Sequence, residues 1–170
     1  YYLSAVFVDA RKERSPLKVL SCTTPDNTVP NFASGYPYMS KITSTSGQVT
    51  TMATKSCRLY WAVLPKGASA PTANDFKANA VSGNLGFGTL DVTKNVSNTF
   101  DVNNVPLEEL ESYDLYLWLT DVDGGQSSAV KKVSFTTVDG TPPRFNTNPT
   151  VNKVNATSVG LYANLNEAGT

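Results

Sequence analysis

The chain contains two closely similar stretches separated by the length of a small domain. The first, "SCTTPDNTVPNF", occupies residues 21–32, and the second, "SFTTVDGTPPRF", occupies residues 134–145. Seven positions are identical: Ser21, Thr23, Thr24, Asp26, Thr28, Pro30 and Phe32 match Ser134, Thr136, Thr137, Asp139, Thr141, Pro143 and Phe145. Phe32 and Phe145 lie 113 residues apart, so the repeating unit has the size of a domain rather than of a solenoid turn.

Two further blocks recur in the same order on either side of these stretches. Upstream, "YYLSAVFVDA" (1–10) aligns with "YDLYLWLTDV" (113–122). Downstream, "YMSKITSTSGQVTTMAT" (38–54) aligns with "TVNKVNATSVGLYANLN" (150–166). Because three blocks recur in one order, we interpret the chain as parts of consecutive copies of one unit.

This repeat predicts three regions. Residues 1–32 should hold the final strands of one copy plus its linker, residues 33–143 a complete copy, and residues 144–170 the first strands of a third. Half a β-sandwich would expose unpaired strand edges. We therefore expect the polypeptide to continue at both ends, or neighbouring subunits to complete these halves by strand exchange.

The complete copy is composed of short alternating segments that turn residues separate. Alternation of apolar and polar residues is typical of half-buried strands. Seven segments have this character: 38–45, 48–54, 57–65, 86–93, 98–105, 113–121 and 128–137. Residues 71–80 depart from it and predict one short helical turn over the sheet. Seven strands without a long helix predict an all-β, antiparallel β-sandwich.

The same alternation assigns side chains to sheet faces. The inward set should include Tyr113, Leu115, Leu117 and Leu119, with Tyr1, Leu3, Ala5 and Phe7 at the matching positions of the first copy, and Leu59, Trp61 and Val63 on the third strand of the complete copy. Leu107 precedes Tyr113 by six residues. That spacing predicts a corner in which the tyrosine hydroxyl caps the backbone of the preceding turn.

Several motifs resemble a known family. "YWAVLPKGASAPTANDFKA", "YDLYLWLTDVDG", "VSFTTVDGTPP" and the Leu107/Tyr113 spacing are similar to the fibronectin type III-like and immunoglobulin-like tandem modules of large bacterial surface proteins. The resemblance covers essentially the whole chain. It implies an immunoglobulin/fibronectin type III-like β-sandwich located outside the cell, at the bacterial surface, and used as a non-catalytic spacer, adhesive or assembly module. The large core tryptophan lies in the third strand, as in immunoglobulin domains.

Composition excludes several classes of function. The chain has 14 basic and 14 acidic residues spread along its length, and this argues against nucleic acid as a partner. The sequence contains no apolar run near the roughly 20 residues that span a membrane. It contains no histidine, the commonest general base and metal ligand. Two cysteines, Cys22 and Cys57, are too few for a disulfide scaffold or a zinc site.

Carboxylates at strand ends are the candidates for catalysis. Glu108, Glu109 and Glu111 precede one end of a predicted strand, and Asp121 and Asp123 follow the other. Glycoside hydrolysis requires two such groups in differently tuned environments beside a cleft. The sequence indicates neither, so we interpret these side chains as solvated charges and expect no enzymatic activity.

Aspartates in turns are the candidates for a metal site. Asp121 and Asp123 lie one residue apart in "DVDGG", and Asp139 lies in the linker "VDGTPP". Calcium binds such clusters of carboxylate oxygens, so it is the one cofactor that we consider. Asp-Gly pairs are also ordinary turn chemistry, and no full calcium loop is present.

Three aromatic residues are the candidates for ligand binding. If Leu115 and Leu117 face inward, Tyr116 and Trp118 face outward, and Tyr60 joins them from the third strand. Exposed rings on one face could stack on a glycan or a host protein. In the alternative interpretation, the helical turn at 71–80 folds over these rings with Phe76.

The leading hypothesis is a structural and interaction protein that contacts neighbouring repeats or identical subunits. Each linker, "DNTVP" and "DGTPP", combines turn residues with a stiffening proline, which suits a spacer, an adhesin stalk or a filament. The competing hypothesis is a glycan- or protein-binding module that uses the aromatic face, and one form of it is an accessory domain of a carbohydrate-active enzyme.

Overall fold

The chain folds into antiparallel β-strands that turns and one short helix connect. The computed structural model describes residues 1–24, 26–122 and 125–167. This part of the chain holds eleven strands and one helix: β1 (Tyr2–Ala5), β2 (Lys18–Ser21), β3 (Tyr38–Ser40), β4 (Gly47–Thr51), β5 (Cys57–Pro65), α1 (Ala73–Lys77), β6 (Gly86–Val92), β7 (Asn98–Val102), β8 (Ser112–Thr120), β9 (Lys131–Thr136), β10 (Phe145–Val154) and β11 (Val159–Leu165). The all-β, antiparallel class predicted from the sequence is confirmed.

Strands β3 to β9 form two sheets that share one hydrophobic core. The larger sheet has the order β6-β5-β8-β9, and the smaller has the order β3-β4-β7. Apolar side chains from both sheets meet in one buried cluster, with Val49 from the smaller sheet and Leu59 and Leu117 from the larger. This arrangement is consistent with a β-sandwich. We refer to residues 33–136 as the central unit.

The predicted inward faces of the central unit are confirmed. Tyr113, Leu115, Leu117 and Leu119 are all buried in the cluster between the sheets. Trp61 packs against the same cluster but is only half-buried. It stacks on Phe100 with ring centroids 5.5 Å apart, and its indole lies close over Gly88, where a Cβ would be 2.6 Å from the ring.

The predicted tyrosine corner is also present. The Tyr113 hydroxyl accepts a hydrogen bond of 2.8 Å from the Glu108 backbone N–H. Leu107 is buried below this turn, and the Tyr113 ring packs on Phe135 of β9. The corner therefore attaches the turn before β8 to the main core.

The first strand of the central unit is shorter than predicted. The alternation indicated a strand over residues 38–45, whereas β3 ends at Ser40. Lys41 has a φ of 47°, which lies in the left-handed region and turns the chain out of the extended conformation. Gly47 then begins β4, and Met39 pairs with Val49 across the resulting hairpin.

The helical turn predicted over residues 71–80 is α1. Its start follows from a capping box, in which the Thr72 hydroxyl accepts from the Asp75 N–H and the Asp75 carboxylate accepts from the Thr72 N–H. These two bonds satisfy donors that a helix N-terminus otherwise leaves unpaired. The buried Phe76 side chain attaches the helix to the sheet.

Two hairpins lie outside the central unit. Strands β1 and β2 pair with each other, as do β10 and β11, and each pair is a two-stranded sheet. The prediction that Tyr1, Leu3, Ala5 and Phe7 point into a core is wrong, because all four are exposed. The physical reason is that, in the part of the chain that the structure describes, β1 and β2 have no second sheet packed against them. The division into copies at 1–32, 33–143 and 144–170 stays a prediction.

Among the residues that the structure describes, no helix is long and apolar enough to cross a membrane.

Candidate functional site

The three aromatic residues predicted to bind ligands lie together, with Tyr116 and Trp118 buried and Tyr60 partly buried. Tyr60 and Trp118 are cross-strand neighbours on β5 and β8, with ring centroids 5.4 Å apart. They project from the sheet face opposite the main core, as predicted, into a second buried cluster with Tyr116. Trp118 has no exposed surface and Tyr116 retains only 5%. The expectation of an exposed aromatic platform is therefore wrong.

Helix α1 is the reason that this face is covered. Phe76 stacks on Trp118 with centroids 6.1 Å apart and an interplanar angle of 14°. The Lys77 ammonium lies 5.8 Å from the centre of the indole, and the indole N–H donates to the Ser128 carbonyl at 3.1 Å. The alternative interpretation, in which the helical turn closes over the rings with Phe76, describes the structure.

Two of the aspartates predicted to bind calcium, Asp121 and Asp139, lie at opposite ends of the larger sheet. Asp121 follows the C-terminal end of β8, whereas Asp139 follows β9, whose Thr136 pairs with Ser112 at the opposite end of β8. The nine residues of β8, which rise about 3.3 Å each, therefore lie between the two positions. Asp123 lies outside the described residues. Among the residues that are described, no group of three or more metal-ligating side chains could hold an ion.

Asp121 instead takes part in a contact that holds the first linker, which we call the Lys55 junction. The Lys55 ammonium lies 2.9 Å from the Asp121 carboxylate and 3.1 Å from the Asp26 carboxylate. It also donates to the backbone carbonyls of Asp26 and Thr28, at 3.2 and 3.0 Å. One side chain therefore joins the linker to the end of the central unit.

Further contacts extend the Lys55 junction along the chain. The backbone of Thr54 donates to the Asn31 carbonyl at 2.8 Å, and the Asn31 N–H donates to the Thr54 hydroxyl at 3.2 Å. Ala33 N–H donates to the Met52 carbonyl at 2.9 Å, and Pro30 is buried. Residues 30–33 thus continue the smaller sheet beyond β4.

The charges of the Lys55 junction are mutually stabilised. Hydrogen bonds from the Thr28 hydroxyl and N–H, together with the Lys55 ammonium, lower the pKa of Asp26 to about 2. The hydrogen bond to Asp121, with a further contribution from Asp26, raises the pKa of Lys55 despite its partial desolvation. Asp26 and Lys55 are therefore both ionised at neutral pH.

The second linker is held at the opposite end of the central unit, in a contact that we call the Glu109 junction. One carboxylate oxygen of Glu109 accepts from the Gly140 N–H at 3.0 Å, and the other accepts from the Thr141 hydroxyl at 2.5 Å. These two bonds lower the pKa of Glu109. The sequence indicated Glu109 as a solvated charge. In the structure its carboxylate accepts two hydrogen bonds from the second linker.

The chain between β9 and the Glu109 junction is also anchored. The Thr137 hydroxyl donates to the Glu108 carbonyl at 2.6 Å and accepts from the Glu111 N–H at 3.0 Å. Val138 N–H donates to the Thr43 carbonyl at 3.3 Å. Gly140 lies so close to Ser44 that a Cβ would be 2.6 Å from the serine Cβ. Residues 137–141 therefore follow the surface of the central unit.

The two linkers share one local geometry. Asp26 accepts from the Thr28 N–H at 2.9 Å, and Asp139 accepts from the Thr141 N–H at 3.0 Å. Both are turns in which an aspartate side chain binds the backbone two residues ahead. The Asp-x-Thr sequence that the two linkers share therefore forms the same turn in both.

One further carboxylate is buried away from the junctions. Asp114 on β8 is 2% exposed, and it accepts from the Ser134 hydroxyl at 2.5 Å. Burial raises the pKa of Asp114, but the hydrogen bonds from Ser134 and Gly67 and the charge of Lys132 outweigh it, and the net pKa is lowered. The Asp114 carboxylate therefore connects β8 to β9 and to the turn after β5.

Sequence reasoning missed Lys55 and Glu109 as the residues that hold the linkers. The repeat pointed to the linkers but not to their partners, because those partners are 29 and 31 residues away in the chain. The burial of β8 on both faces had a visible signal: "YDLYLWL" is apolar at almost every position, which is typical of a strand covered on both sides.

Comparison of the chain with protein-family models found no match, and comparison with curated proteins found none either.

Proposed function

We propose that this chain is a non-catalytic structural module of a bacterial surface or extracellular tandem-repeat protein, with the role of a spacer, an adhesin stalk or a filament subunit. In this proposal the central unit is one module of the array, and residues 1–32 and 144–170 belong to its neighbours. The proposal combines the internal repeat with the way in which both linkers are held.

The strand order supports a fibronectin type III-like module. The first, second and fifth strands of the central unit form the smaller sheet, and the remaining four form the larger one. Its fourth strand, β6, pairs with β5 in the larger sheet. In immunoglobulin constant-type domains the fourth strand joins the other sheet. Within the predicted family, the placement of β6 therefore favours the fibronectin type III-like arrangement.

The observation that carries the proposal is the pair of junctions at opposite ends of the central unit. The Lys55 junction binds the incoming linker beside the end of β8, and the Glu109 junction binds the outgoing linker beside its beginning. A stalk or filament must transmit orientation from module to module, and this requires linkers that are bound rather than free. Both linkers meet this requirement.

The exposed apolar side chains of the hairpins indicate the partner that we propose. Leu3 in β1, Phe7 just after it and Leu161 in β11 are more than half exposed. A two-stranded hairpin is at best marginally stable by itself in water. We infer that strands of neighbouring repeats, or of identical subunits, cover these faces. The aromatic cluster around Trp118 supplies no second candidate function, because α1 covers it.

The test is the distance distribution between the β1–β2 hairpin and the central unit. Spin labels at Lys18→Cys and Thr99→Cys, in a Cys22→Ser background, are measured by double electron–electron resonance. Cys57 is buried, and burial raises its pKa to about 11, so it does not react with the label. The proposal predicts one narrow peak that Lys55→Met broadens and that Lys66→Met, a matched control at an exposed lysine, leaves unchanged. A broad distribution in the parent chain would contradict a bound linker.

A further inference from the structure

The first hairpin, β1–β2, pairs in the same register as the strands β8 and β9. Residues 1–10 align with 113–122 in the repeat, and residues 21–32 align with 134–145. Tyr2 pairs with Ser21, and the aligned residues Asp114 and Ser134 also pair. The next three pairs agree as well: Leu3↔Leu20, Ser4↔Val19 and Ala5↔Lys18 match Leu115↔Val133, Tyr116↔Lys132 and Leu117↔Lys131. Strand β1 therefore corresponds to β8 in backbone pairing as well as in sequence.

Strand β8 has a second neighbour that β1 lacks. In the larger sheet, β8 lies between β9 and β5. Strand β5 pairs antiparallel with β8 from Arg58↔Thr120 to Pro65↔Tyr113. In the part of the chain that the structure describes, β1 pairs with β2 alone, so its other edge is open. Such an edge is a row of unpaired N–H and C=O groups to which another strand can bind.

The backbone groups at the open edge belong to alternate residues of β1. The Tyr1 amino group donates to the Cys22 carbonyl, and the Cys22 N–H donates to the Tyr1 carbonyl, both at 2.9 Å. Hydrogen-bonded and non-hydrogen-bonded pairs alternate along an antiparallel ladder, so Leu3 also faces β2. Tyr2 and Ser4 consequently direct their N–H and C=O groups away from β2. The open edge therefore offers donors and acceptors at the spacing that an added strand requires.

The apolar side chains of the hairpin fit the same kind of partner. Leu3 and Phe7 are 62% and 81% exposed, whereas the aligned residues Leu115 and Leu119 have no exposed surface. Val63 of β5 lies opposite Leu115 and belongs to the same core cluster. A strand with the apolar alternation of β5 would place a matching side chain beside Leu3.

We propose that the open edge of β1 is a strand-acceptor site, which binds an antiparallel strand of the β5 type from a neighbouring repeat. In the bound register, the residue equivalent to Ala62 lies opposite Ser4, and the residue equivalent to Val63 lies opposite Leu3. Main-chain hydrogen bonds supply the affinity, and the alternating apolar side chains set the register. This inference rests on the proposed function, since it names the strand that completes the first hairpin.

The experiment supplies this strand to the full chain as a peptide. The probe is a fluorescein-labelled peptide of residues 56–66 with Cys57→Ser, which contains the whole of β5. Fluorescence anisotropy should show saturable binding to the chain that carries Cys22→Ser. A control peptide with Val63→Asp should bind at least about ten-fold more weakly, because a carboxylate would be buried beside Leu3.

A substitution at Ser4 tests whether the peptide binds this edge. Ser4→Pro removes the N–H that β1 presents to the peptide, whereas the bonds to β2 remain. Proline is tolerated in an edge strand where its nitrogen faces solvent. We expect Ser4→Pro to weaken binding about ten-fold and Ser4→Ala, the matched control, to leave it unchanged.

Disulfide trapping measures the register without a proline. The chain with Ser4→Cys and Cys22→Ser is incubated with the peptide in a buffer of reduced and oxidised glutathione, in which the oxidised form is the oxidant. The peptide with Ala62→Cys should form a disulfide, because the register places that position opposite Ser4. The peptide with Tyr60→Cys should not, because residue 60 would lie opposite Val6, and such diagonal neighbours are about 7–8 Å apart.

The outcomes distinguish the inference from the proposed function. Absence of binding overturns the inference, as does equal binding to the parent and Ser4→Pro, which would place the peptide on another edge. Preferential trapping of Tyr60→Cys overturns the register. A parent chain that sediments as a dimer and becomes monomeric with Ser4→Pro assigns the edge to a second copy and also overturns the inference. The Lys18/Thr99 label pair tests the proposed function independently, whether or not the peptide binds.

Discussion

At the scale of single residues, the alternation of apolar and polar side chains accounts for the core, and a few hydrogen bonds attach the loops to it. The Tyr113 hydroxyl is the clearest case. Its ring belongs to the core, where it packs on Phe135, while its oxygen accepts from the backbone of Glu108. The Thr137 hydroxyl then joins the same turn to the second linker. A packing residue thereby positions the turn that carries Glu109.

Replacing Tyr113 with phenylalanine should separate these two roles. The ring contacts are kept, but the partly buried Glu108 N–H loses its acceptor. Such a loss costs about 1–2 kcal/mol in the free energy of unfolding. Urea denaturation of Tyr113→Phe measures it, with Tyr2→Phe at an exposed site as the control. Equal stability of the two variants would show that the corner bond contributes nothing.

At the scale of elements, the five-residue helix α1 determines the environment of the longest apolar strand. β8 is buried along nearly its whole length, on one face by the smaller sheet and on the other by α1. Helix α1 is too short to be stable by itself. Its capping box fixes where it begins, and the packing of Phe76 against Trp118 holds it on the sheet.

Replacing Phe76 with alanine should release α1 and uncover Trp118. Removing a fully buried phenylalanine costs about 3–5 kcal/mol in the free energy of unfolding. Tryptophan emission should shift to longer wavelength at the same time, because water reaches the indole. Asn74→Ala, an exposed position of the same helix, is the control that should change neither quantity. An unshifted emission spectrum in Phe76→Ala would mean that something other than α1 shields Trp118.

At the scale of the whole molecule, the central unit binds the chain segments on either side of it with different chemistry at its two ends. One end holds its linker with an ammonium shared among two carboxylates and two carbonyls, and the other with a carboxylate that binds an amide and a hydroxyl. Salt screens exposed charges. Because the Asp26 side chain of the Lys55 junction is 62% exposed, its ion pair with Lys55 should weaken as the ionic strength rises.

Replacing Gly140 with alanine should displace the second linker without unfolding the central unit. The added Cβ would lie 2.6 Å from the Ser44 Cβ, closer than two carbons can approach, so the linker must move away from Glu109. The expected result is a broader distance distribution between spin labels at Thr99→Cys and Asn152→Cys, in the Cys22→Ser background, with the free energy of unfolding of the central unit unchanged within about 0.5 kcal/mol.

A second substitution provides the control for this prediction. Ser44→Gly removes the atoms that the new Cβ meets, so the double variant Gly140→Ala/Ser44→Gly should recover the parent distribution. Failure of the second substitution to restore the distribution would show that the linker is displaced for a reason other than this contact.

Much of the central unit could be predicted from sequence, because its strands, their inward faces and the tyrosine corner depend on residues that are close together in the chain. Period-two alternation, turn residues and the Leu107/Tyr113 spacing located the strands, the inward faces and the corner. The exposure of Tyr1 and Phe7 could not be predicted in this way. The same alternation that buries Leu115 in β8 leaves the first hairpin exposed, because no second sheet among the described residues faces it.

The sequence by itself determined the repeat, the strands and the sides to which their residues point, since each depends on neighbours a few residues apart. Only the tertiary structure decided what covers each face and what holds each linker. Trp118 is buried because α1 crosses its face, and Lys55 and Glu109 bind linkers 29 and 31 residues away. These contacts depend on where the closed sheets bring distant segments, which no local pattern encodes.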